Sequence, residues 1–512
     1  MWVYRILSWI NLAISILIFL AIPIYTIYSL TLIFSNTDLI TIILNILLII
    51  IEVFGFLFAF YLFYMISGAF QFRYKSSSLN HDRSIENPHF SIIIPSHGTS
   101  FSVLKKTLEG ALKIDYDRFE IIVSDNGQDL IVTKQLEEFC NKNRIQFYHK
   151  RDRRGFKAGN INAVLHKTSG DYIVILDSDH VAVPNLLIEF SKVISDKRIG
   201  YIQAKVAYRN TQRLYQASNS ILYSQFYEVF EAAKDQRGVV LFNGTTGCFR
   251  KDVLVEVGGF SEDTLIEDID TSMKILSQGY EGRYLDFVGS YGLVPESAKS
   301  QIAQLWRWST GATSVLRLRT RMILGSKNLS WFKKLELILN AMAFFSGICV
   351  VLLMTILAAL ILGNIPFLRP QPFGLHSGYI MPSLVGISYT MSAFLAILWE
   401  PRKQHLLIRV IQLIPFYLFS LGTFLFLISG VIEGLRLKTT TLNSGILWTR
   451  EVRIVRSSLI ALGFCVILIL IGLIRWSHPF ASVVVGGVLG WVLAPLMLLY
   501  EEIFPPHESI ES

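Results

Sequence analysis

Long apolar stretches lie at both ends of the chain, on either side of a middle segment in which short β-rich runs alternate with helical patterns. The first two apolar runs extend from about Ile6 to Phe34 and from Leu39 to Phe70, separated by the polar SNTD. Each is longer than the roughly 20 residues that cross a bilayer as a helix, and the first is too long for a removed signal peptide. They predict a transmembrane hairpin, and the basic QFRYKSSS that follows places residue 71 onward in the cytoplasm.

The middle segment, residues 71–330, is expected to form one α/β domain. Its strand-like runs are FSIIIP, FEIIVSDN, IQFYHK, DYIVILDSD and IGYIQAKV, with helical patterns between them. This alternation predicts a mostly parallel sheet with helical crossover connections. Because ligands of such sheets bind beyond the carboxyl ends of the strands, the turns Pro95–Gly98, Asp125–Asn126 and Asp177–Asp179 are expected to line one crevice.

Four further apolar runs predict spanning helices after the domain. They are, approximately, Leu335–Leu362, Tyr379–Leu398, Ser457–Ile474 and Phe480–Tyr500. Together with the first hairpin they give about six spanning helices, with the α/β domain inserted between the second and the third. The expected division of the chain is therefore 1–70, 71–330 and 331–512.

A fifth run, Ile411–Leu435, is expected to be a re-entrant or interfacial hairpin. If it crossed the membrane, the basic stretch Arg436–Arg456 would lie outside, against the positive-inside tendency. Pro415, Gly422 and Gly430 also interrupt the run. The basic stretch is then expected to be a cytoplasmic loop.

The composition agrees with an integral membrane protein that carries one water-soluble domain. Of the 512 residues, 52% are hydrophobic and only 17% are charged, whereas soluble domains contain about 25% charged residues. The net charge is +8, but the lysines and arginines gather beside the apolar runs, which favours anchoring to anionic lipid over binding of nucleic acid. The four cysteines are far apart, which favours neither a disulfide framework nor a zinc site.

The strand-like run ILDSDH ends in two carboxylates, Asp177 and Asp179. Residues two apart on a strand point the same way, so both carboxylates can share one ligand. Hard oxygen ligands suit Mg²⁺ or Mn²⁺, ions that commonly bridge phosphates in proteins. An isolated D-x-D is also a common acidic turn, so the rest of the chain has to decide.

Two motifs further along the chain offer acid–base and sugar-binding chemistry. In IEDID, Glu267, Asp268 and Asp270 stand where a helix begins. Acidic residues there are common through capping and dipole effects, but one carboxylate can instead be a general base. In QLWRW, Arg307 lies between two tryptophans, which combines a fork for phosphate with flat faces for sugar rings or for the membrane interface. The alternative is an interfacial helix with snorkelling arginines.

A third motif, RRGFKAGNINAVL, places Lys157 and Gly159 at an expected helix N-terminus. Free backbone N–H groups and the helix dipole make such a position a natural anion site. Taken alone, a lysine there would more often be an ordinary solvated side chain.

The motifs occur together in one order: IIIPSHG, VSDNGQD, RRGFKAGNIN, DSDH, FNGTTGCFRKDVLVEVGGF, IEDID and QLWRW. In this order and spacing the chain resembles the membrane-integrated family 2 glycosyltransferases, which include cellulose, hyaluronan, chitin and mannan synthases. The resemblance covers residues 90–330 and is strongest to the mannan and cellulose synthase branch. It implies a GT-A type, mostly parallel mixed sheet that is flanked by helices and inserted between transmembrane α-helices.

The resemblance also implies roles for individual residues on the donor side. Pro95, His97 and Asp125 are expected to hold the uridine of a UDP-sugar. Lys157 and Asp177 are expected to contact the nucleotide and its diphosphate.

The remaining roles concern the metal, the base and the acceptor. By the resemblance, Asp179 coordinates Mg²⁺ or Mn²⁺, and Asp268 is the general base. The residues implied on the acceptor and diphosphate side are Glu267, Gln304, Arg307 and Trp308. The stretch TTTLNSGILWTREVR, within 436–456, occupies the place of the family's cytoplasmic gating loop.

Three departures from the family pattern change what is expected. The usual PTYNE-like turn is PSHGT, so His97 is expected in place of a stacking tyrosine. Ile266 replaces the threonine of the family's TED motif, which removes a hydroxyl from the acceptor side. No cyclic-dinucleotide-binding barrel is expected after the last helix.

Three functions remain open at this point. The first is a membrane-bound, inverting transfer of a hexose from a UDP-sugar to a growing β-linked polysaccharide, coupled to export through the helices. The second is non-processive transfer of glucose or mannose to a membrane lipid. The third is a nucleotide-binding membrane scaffold, which the intact carboxylates and QLWRW disfavour.

Helix faces near Trp308 are expected to separate the first two functions. Polar and aromatic faces would indicate a polymer channel, whereas a wholly apolar interior with a lateral cleft would indicate a lipid acceptor. In both cases the expected location is the cell membrane, with the catalytic domain in the cytoplasm.

Overall fold

The computed structural model describes residues 2–36, 38–76, 87–152, 154–368, 380–400, 405–436, 450–476 and 481–503. An eight-stranded sheet organises the domain, with the spatial order β3-β2-β1-β4-β7-β6-β8-β5. The strands are β1 Phe90–Ser96, β2 Phe119–Asp125, β3 Gln146–His149, β4 Tyr172–Ile175, β5 Val181–Ala182, β6 Ile199–Tyr208, β7 Gly247–Arg250 and β8 Glu281–Gly292. Helices flank the sheet, so the expected α/β fold class is confirmed.

The central strand β1 is apolar because the sheet is covered on both faces. All seven of its residues are buried. Phe90, Ile92 and Ile94 enter one core cluster, and Ile93 enters another. A strand buried on both sides is a continuous apolar run instead of an alternating one, which is the pattern of FSIIIP.

Most of the strands run in one direction. β1 pairs in parallel with β2 and β4, and β2 pairs in parallel with β3. Only β7 interrupts this part of the sheet, antiparallel to both β4 and β6. Consequently β6 is parallel to β4, and the carboxyl ends of β1, β2, β4 and β6 all lie at one edge.

The domain helices are α3 Phe101–Ala111, α4 Leu130–Lys142, α5 Phe156–Leu165, α6 Leu186–Ser191, α7 Leu214–Gln225, a π-helix Phe226–Glu231, α8 Ala232–Asp235, α9 Lys251–Glu256, α10 Glu267–Ser277 and α11 Ala298–Gly325. Before the domain come α1 Trp2–Phe34 and α2 Leu39–Ser76. After it come α12 Trp331–Ala341, α13 Phe345–Gly363, α14 Ile380–Trp399, α15 Leu406–Ile411, α16 Leu413–Arg436, α17 Arg450–Ile474, α18 Ala481–Leu489 and α19 Leu493–Ile503.

Five helices in the described part of the chain are long and apolar enough to cross a membrane: Trp2–Phe34, Leu39–Lys75, Phe345–Gly363, Ile380–Trp399 and Leu406–Arg436. Ser458–Ile474 is a shorter apolar helix. The set therefore overlaps the expected one, but the expected span Ser457–Ile474 is not among the five, and three further segments differ.

The expected hairpin at Ile411–Leu435 is wrong, because α16 is one uninterrupted helix. Pro415 lies in the first turn of α16, where the missing N–H removes no helical hydrogen bond. Gly422 packs against Ala494, and Gly430 packs against Ser309 of α11. These glycines permit close helix contacts, which is a different role from breaking the helix. Residues 437–449 of the expected gating loop lie outside the described residues.

Two expected spans are each divided into two helices. The run Leu335–Leu362 is divided between α12, which ends at Ala341, and α13, which begins at Phe345. Glu336 of α12 is buried and lies 2.6 Å from Nε of Arg237, so α12 is bound to the domain. The run Phe480–Tyr500 is divided between α18 and α19. Pro495, in the first turn of α19, can begin a helix there but cannot continue one from the preceding residues.

A cluster of four charged residues joins α2 to the domain. Arg73, in the last turn of α2, contacts both Glu228 of the π-helix and Asp286 of β8. Lys205 of β6 contacts the same two carboxylates, with its Nζ 2.7 Å from Glu228 Oε1. Glu228 and Lys205 are buried, so each charge depends on the others for compensation.

We expect Glu228→Gln to destabilise the protein by about 3 kcal/mol, because it leaves the buried Lys205 and the partly buried Arg73 with one carboxylate. The apparent unfolding temperature of the purified, detergent-solubilised protein measures this. Glu109→Gln is the matched control, since Glu109 pairs with Lys105 on the exposed surface of α3 and such pairs contribute little. Equal melting temperatures for the two variants would show that the cluster does not hold α2 to the domain.

Candidate active site

Three turns at the carboxyl ends of the strands meet in one crevice. Nδ1 of His97, which follows β1, lies 2.6 Å from Oδ1 of Asn126, which follows β2. The hydroxyl of Thr99 lies 2.7 Å from that of Ser178, which lies between the two aspartates after β4. The crevice predicted from the ends of β1, β2 and β4 is therefore formed.

Asp125 ends β2 and is buried. Its Oδ2 accepts a hydrogen bond from Oγ1 of Thr133 at 3.2 Å and lies 3.1 Å from Nδ1 of His149. His149 is the residue of β3 that pairs with Asp125 in the sheet. Pro95 is next to this corner, paired with Ser124. Sequence reasoning did not find His149, because only the strand register brings it to the crevice.

Lys157 lies in the first turn of α5, after Gly155, whose positive φ of 73° forms a tight entry into the helix. The ammonium Nζ is 2.5 Å from Oδ1 of Asp177 and 3.8 Å from Oε1 of Glu267. It also donates to the carbonyl of Gly244 at 2.6 Å. Burial alone would lower the pKa of Lys157, but the nearby carboxylates outweigh burial and raise it, so the side chain is a fixed cation.

Asp177, Asp179 and His180 form a group that fits a divalent cation. One potential ligand atom from each lies within 4.8 Å of the others. Two carboxylates and an imidazole suit Mn²⁺, and the carboxylates suit Mg²⁺. Nδ1 of His180 lies 2.8 Å from Oδ1 of Asp179. Burial alone would raise the pKa of Asp179, but the interactions with His180 and the charge of Lys157 together keep this pKa below its usual value.

His180 is buried beside Gly292 of β8, where a Cβ would collide with the imidazole. Sequence reasoning assigned the metal to Asp179 and gave His180 no role. The turn after β4 places His180 beside both carboxylates.

Asp268 lies in the first turn of α10, directly after Glu267. Burial raises the pKa of Asp268 to about 7, and the charge of Glu267 adds to the rise, while Lys157 and Arg307 oppose it. A carboxyl group with this pKa can accept a proton near neutral pH. Asp270 of the same motif is elsewhere: it is buried, and its Oδ1 is 2.6 Å from Nε of Arg319.

The QLWRW motif lies on α11, within an aromatic cluster. Gln304 accepts a hydrogen bond from the hydroxyl of Tyr223, and the Tyr223 ring lies edge-on to Trp308 at 6.0 Å between centroids. The ring of Tyr208, at the end of β6, lies 4.7 Å from the ring of Tyr223 between centroids. Arg307 is exposed, and its charge reaches Asp268. Sequence reasoning missed both tyrosines because no local pattern marks them.

Ile266 packs on Gly311 of α11 and belongs to a hydrophobic cluster below the crevice. The replacement of the family's threonine by isoleucine therefore adds core contact between α10 and α11.

Comparison with known proteins identifies the domain. Residues 88–311 match the family model described as "Glycosyltransferase like family 2". This part of the chain is a family 2 glycosyltransferase domain. The resemblance inferred from the motifs is thereby confirmed.

Curated relatives of this glycosyltransferase domain include cellulose synthase catalytic subunits (UDP-forming). The subunit from Pseudomonas fluorescens is 25% identical over 317 residues, which cover 60% of this chain and 42% of the relative. The subunit from Xanthomonas axonopodis pv. citri is 28% identical over 272 residues, which cover 51% of this chain and 36% of the relative. The chain thus spans less than half the length of these relatives.

Solved structures with a similar arrangement include a mannosyltransferase from Pyrobaculum calidifontis in complex with GDP-Man and Mn²⁺. It is 18% identical, covers 75% of this chain and 99% of its own, and has a TM-score of 0.48. S. aureus TarS 1–349 in complex with UDP-GlcNAc is 17% identical, covers 60% of this chain and 90% of its own, and has a TM-score of 0.40.

We expect Gly244→Ala to reduce the rate of sugar transfer at least about tenfold, since small displacements of catalytic groups have effects of this size. A Cβ at this position would lie 2.9 Å from Oδ2 of Asp268 and 3.4 Å from Nζ of Lys157. The backbone also has a positive φ of 92°, which an alanine adopts only with strain.

Gly258→Ala is the matched control for this effect. Gly258 has a positive φ of 85°, but nothing lies within 4 Å of the added Cβ. Both variants should lose similar thermal stability, whereas only Gly244→Ala should lose turnover. Equal rates in the two variants would show that Asp268 and Lys157 tolerate displacement.

Proposed function

We propose that this protein is a membrane-bound, inverting glycosyltransferase that transfers a hexose from a UDP-sugar to a growing β-linked polysaccharide. The observation that carries the proposal is the position of Lys157. Its ammonium group contacts both Asp177 and Glu267, and so the group Asp177, Asp179 and His180 lies in one crevice with Glu267 and Asp268. A metal-binding corner beside a carboxyl group with a pKa of about 7 is suited to displacement at an anomeric carbon.

Pro95, His97 and Asp125 are proposed to hold the uridine. One Asp125 oxygen, Oδ2, is already occupied by Thr133 and His149. These contacts fix the side chain, and Oδ1 is the oxygen proposed to bind the base. His97 is held by Asn126 and takes the place of an aromatic stacking residue.

The diphosphate is proposed to bind beside Asp177, Asp179 and His180. When bound there, Mg²⁺ or Mn²⁺ would neutralise the charge that develops on the leaving diphosphate. Lys157 supplies a further positive charge in the same corner.

The proposed reaction is a single displacement. An acceptor hydroxyl oxygen forms a bond to the anomeric carbon, while the bond from that carbon to the diphosphate oxygen breaks. Asp268 takes the proton of the hydroxyl. Because one nucleophile attacks once, an α-linked donor gives a β-linked product.

The acceptor is proposed to lie against Gln304, Arg307 and Trp308, with Glu267 beside the attacking hydroxyl. Trp308 offers a ring face for a sugar, and Tyr223 holds both Gln304 and Trp308.

Buried polar side chains on α7 and α14 support a polymer product. Buried polar residues follow α7 and continue on α14: Gln216, Ser218, Asn219, Ser220, Ser224, Gln225, Ser388 and Ser392. The side chain of Gln225 donates a hydrogen bond to the hydroxyl of Ser392. The ring of Tyr389 on α14 lies 5.9 Å from the ring of Tyr417 on α16 between centroids. A row of hydroxyl, amide and aromatic groups suits a glycan better than an acyl chain, so we propose export of the polymer along this path.

The proposed setting is the cell membrane, with residues 71–330 as the cytoplasmic catalytic domain between the helices of 1–70 and 331–512. The cluster of Arg73, Glu228, Lys205 and Asp286 attaches this domain to α2.

We expect kcat/KM to fall about tenfold for each pH unit below about 7, because only the ionised form of Asp268 accepts a proton. Glu267→Gln should move this limb of the pH profile to lower pH, since the negative charge of Glu267 contributes to the raised pKa of Asp268. Initial rates at saturating metal across pH 5.5–9 would measure both. If the acidic limb of the profile does not move in Glu267→Gln, the titrating group is not Asp268. The substitution Asp268→Asn should abolish transfer at every pH.

Labelled UDP-glucose, UDP-N-acetylglucosamine, GDP-mannose and related donors, each with Mg²⁺ or Mn²⁺, test the proposed reaction on the purified full-length protein. We expect transfer from a UDP-hexose. Chelation of the metal should abolish this transfer, and so should the substitution Asp179→Ala. Size analysis should show a polymer. A product of one or two sugars on a lipid would show that the protein makes a glycolipid and not a polymer. An absence of turnover with every donor would contradict the proposed glycosyltransferase activity.

A further inference from the structure

Arg209 follows β6 at the edge of the sheet where the site residues gather. Its backbone N–H donates to the carbonyl of Gly292 at 3.1 Å, and Gly292 packs against His180. Because β6 is parallel to β4 across the intervening β7, the carboxyl end of β6 lies beside the turn that holds Asp179. The sequence motifs gave no role to this arginine.

The side chain of Arg209 touches the metal-binding corner without an acidic partner. Nη2 lies 3.4 Å from the backbone carbonyl oxygen of Asp179, which is its single hydrogen bond within the described part of the chain. Nε is buried and has no hydrogen-bond partner there. The guanidinium is partly buried, and no carboxylate of the described residues lies within ion-pair distance.

Other cations of the domain show the contrast. Lys157 contacts Asp177, and Lys205 contacts Glu228. Arg319 is bound to Asp270 by two hydrogen bonds. A partly buried guanidinium without such a partner is costly. An anion from outside the chain would supply the missing partner.

We propose that Arg209 binds a phosphate group of the donor's diphosphate beside Asp179. The planar guanidinium presents a fork that matches phosphate oxygens, and phosphate is the anion that the adjacent aspartate corner would bring there through a divalent ion. This inference rests on the proposed function. A lipid phosphate is the other source of the same chemistry.

Dissociation constants of UDP and uridine, each with MnCl₂, test the proposal on the full-length protein in phosphatidylcholine nanodiscs. We expect Arg209→Gln to weaken UDP binding about tenfold, the usual worth of a charge-assisted contact, and to leave uridine binding within about twofold. Arg209→Lys should retain part of the UDP affinity. If Arg209→Gln fails to fold, as judged by its unfolding temperature, Arg209→Lys is used instead, and an unchanged UDP affinity of that variant overturns the proposal.

Arg198→Gln is the matched control, because Arg198 precedes the opposite end of β6 and is paired with Asp196 at the surface. It should leave UDP binding unchanged. Unchanged UDP affinity in Arg209→Gln would overturn the proposal. If in that case phosphatidic acid in the nanodiscs weakened UDP binding in the wild type but not in Arg209→Gln, the phosphate would come from a lipid. A wild type that does not bind UDP would instead contradict the proposed function itself.

Discussion

One cation determines which parts of the fold have to meet. Asp177, Glu267 and Asp268 come from two separate elements, and three carboxylates in a partly buried crevice repel one another unless a positive charge lies among them. Lys157 provides that charge, and it also binds the carbonyl of Gly244. The first turn of α5, the end of β4, the turn before β7 and the start of α10 are thereby held at one point. Burial, with the charge of Glu267 added, keeps the pKa of Asp268 near neutrality although Lys157 opposes the rise, so this ion-pair centre serves both the packing of the domain and the proposed chemistry.

The arrangement around this point divides into two layers with different attachments. The metal-binding corner belongs to the sheet, which the buried cluster of Arg73, Glu228, Lys205 and Asp286 joins to α2. The residues proposed to hold the acceptor belong to α11, which packs along α16. Donor and acceptor sides are thus carried by different membrane helices, and Tyr223 lies between them through its contacts with Tyr208 and Trp308.

The sequence predicted the parts whose signals are local. Strands β1, β2, β3, β4 and β6 are short apolar runs, and parallel strands place the turns after them at one edge. Strand β7, only GCFR, was not found because its place is set by antiparallel pairing with distant strands. His149, Tyr223 and Arg209 reach the crevice through tertiary contacts that no spacing encodes. The glycines of α16 were misjudged because glycine has two opposite meanings in an apolar helix, a break or a close contact, and only the neighbouring helix decides between them.

The contact between α16 and α11 has a consequence for the membrane itself. A Cβ at Gly430 would collide with Ser309, and a Cβ at Gly434 would collide with Thr310 and Thr313. The helix that carries Arg307 and Trp308 is therefore in nearly direct backbone contact with a helix long and apolar enough to lie in the bilayer. Apolar helices tilt when the hydrocarbon thickness changes. Because α11 is also bound to α10 through Arg319 and Asp270, such a tilt would act on the acceptor residues and on the start of α10 together. Lipid acyl-chain length then becomes a variable that acts on their alignment with the sheet, which carries the metal-binding corner.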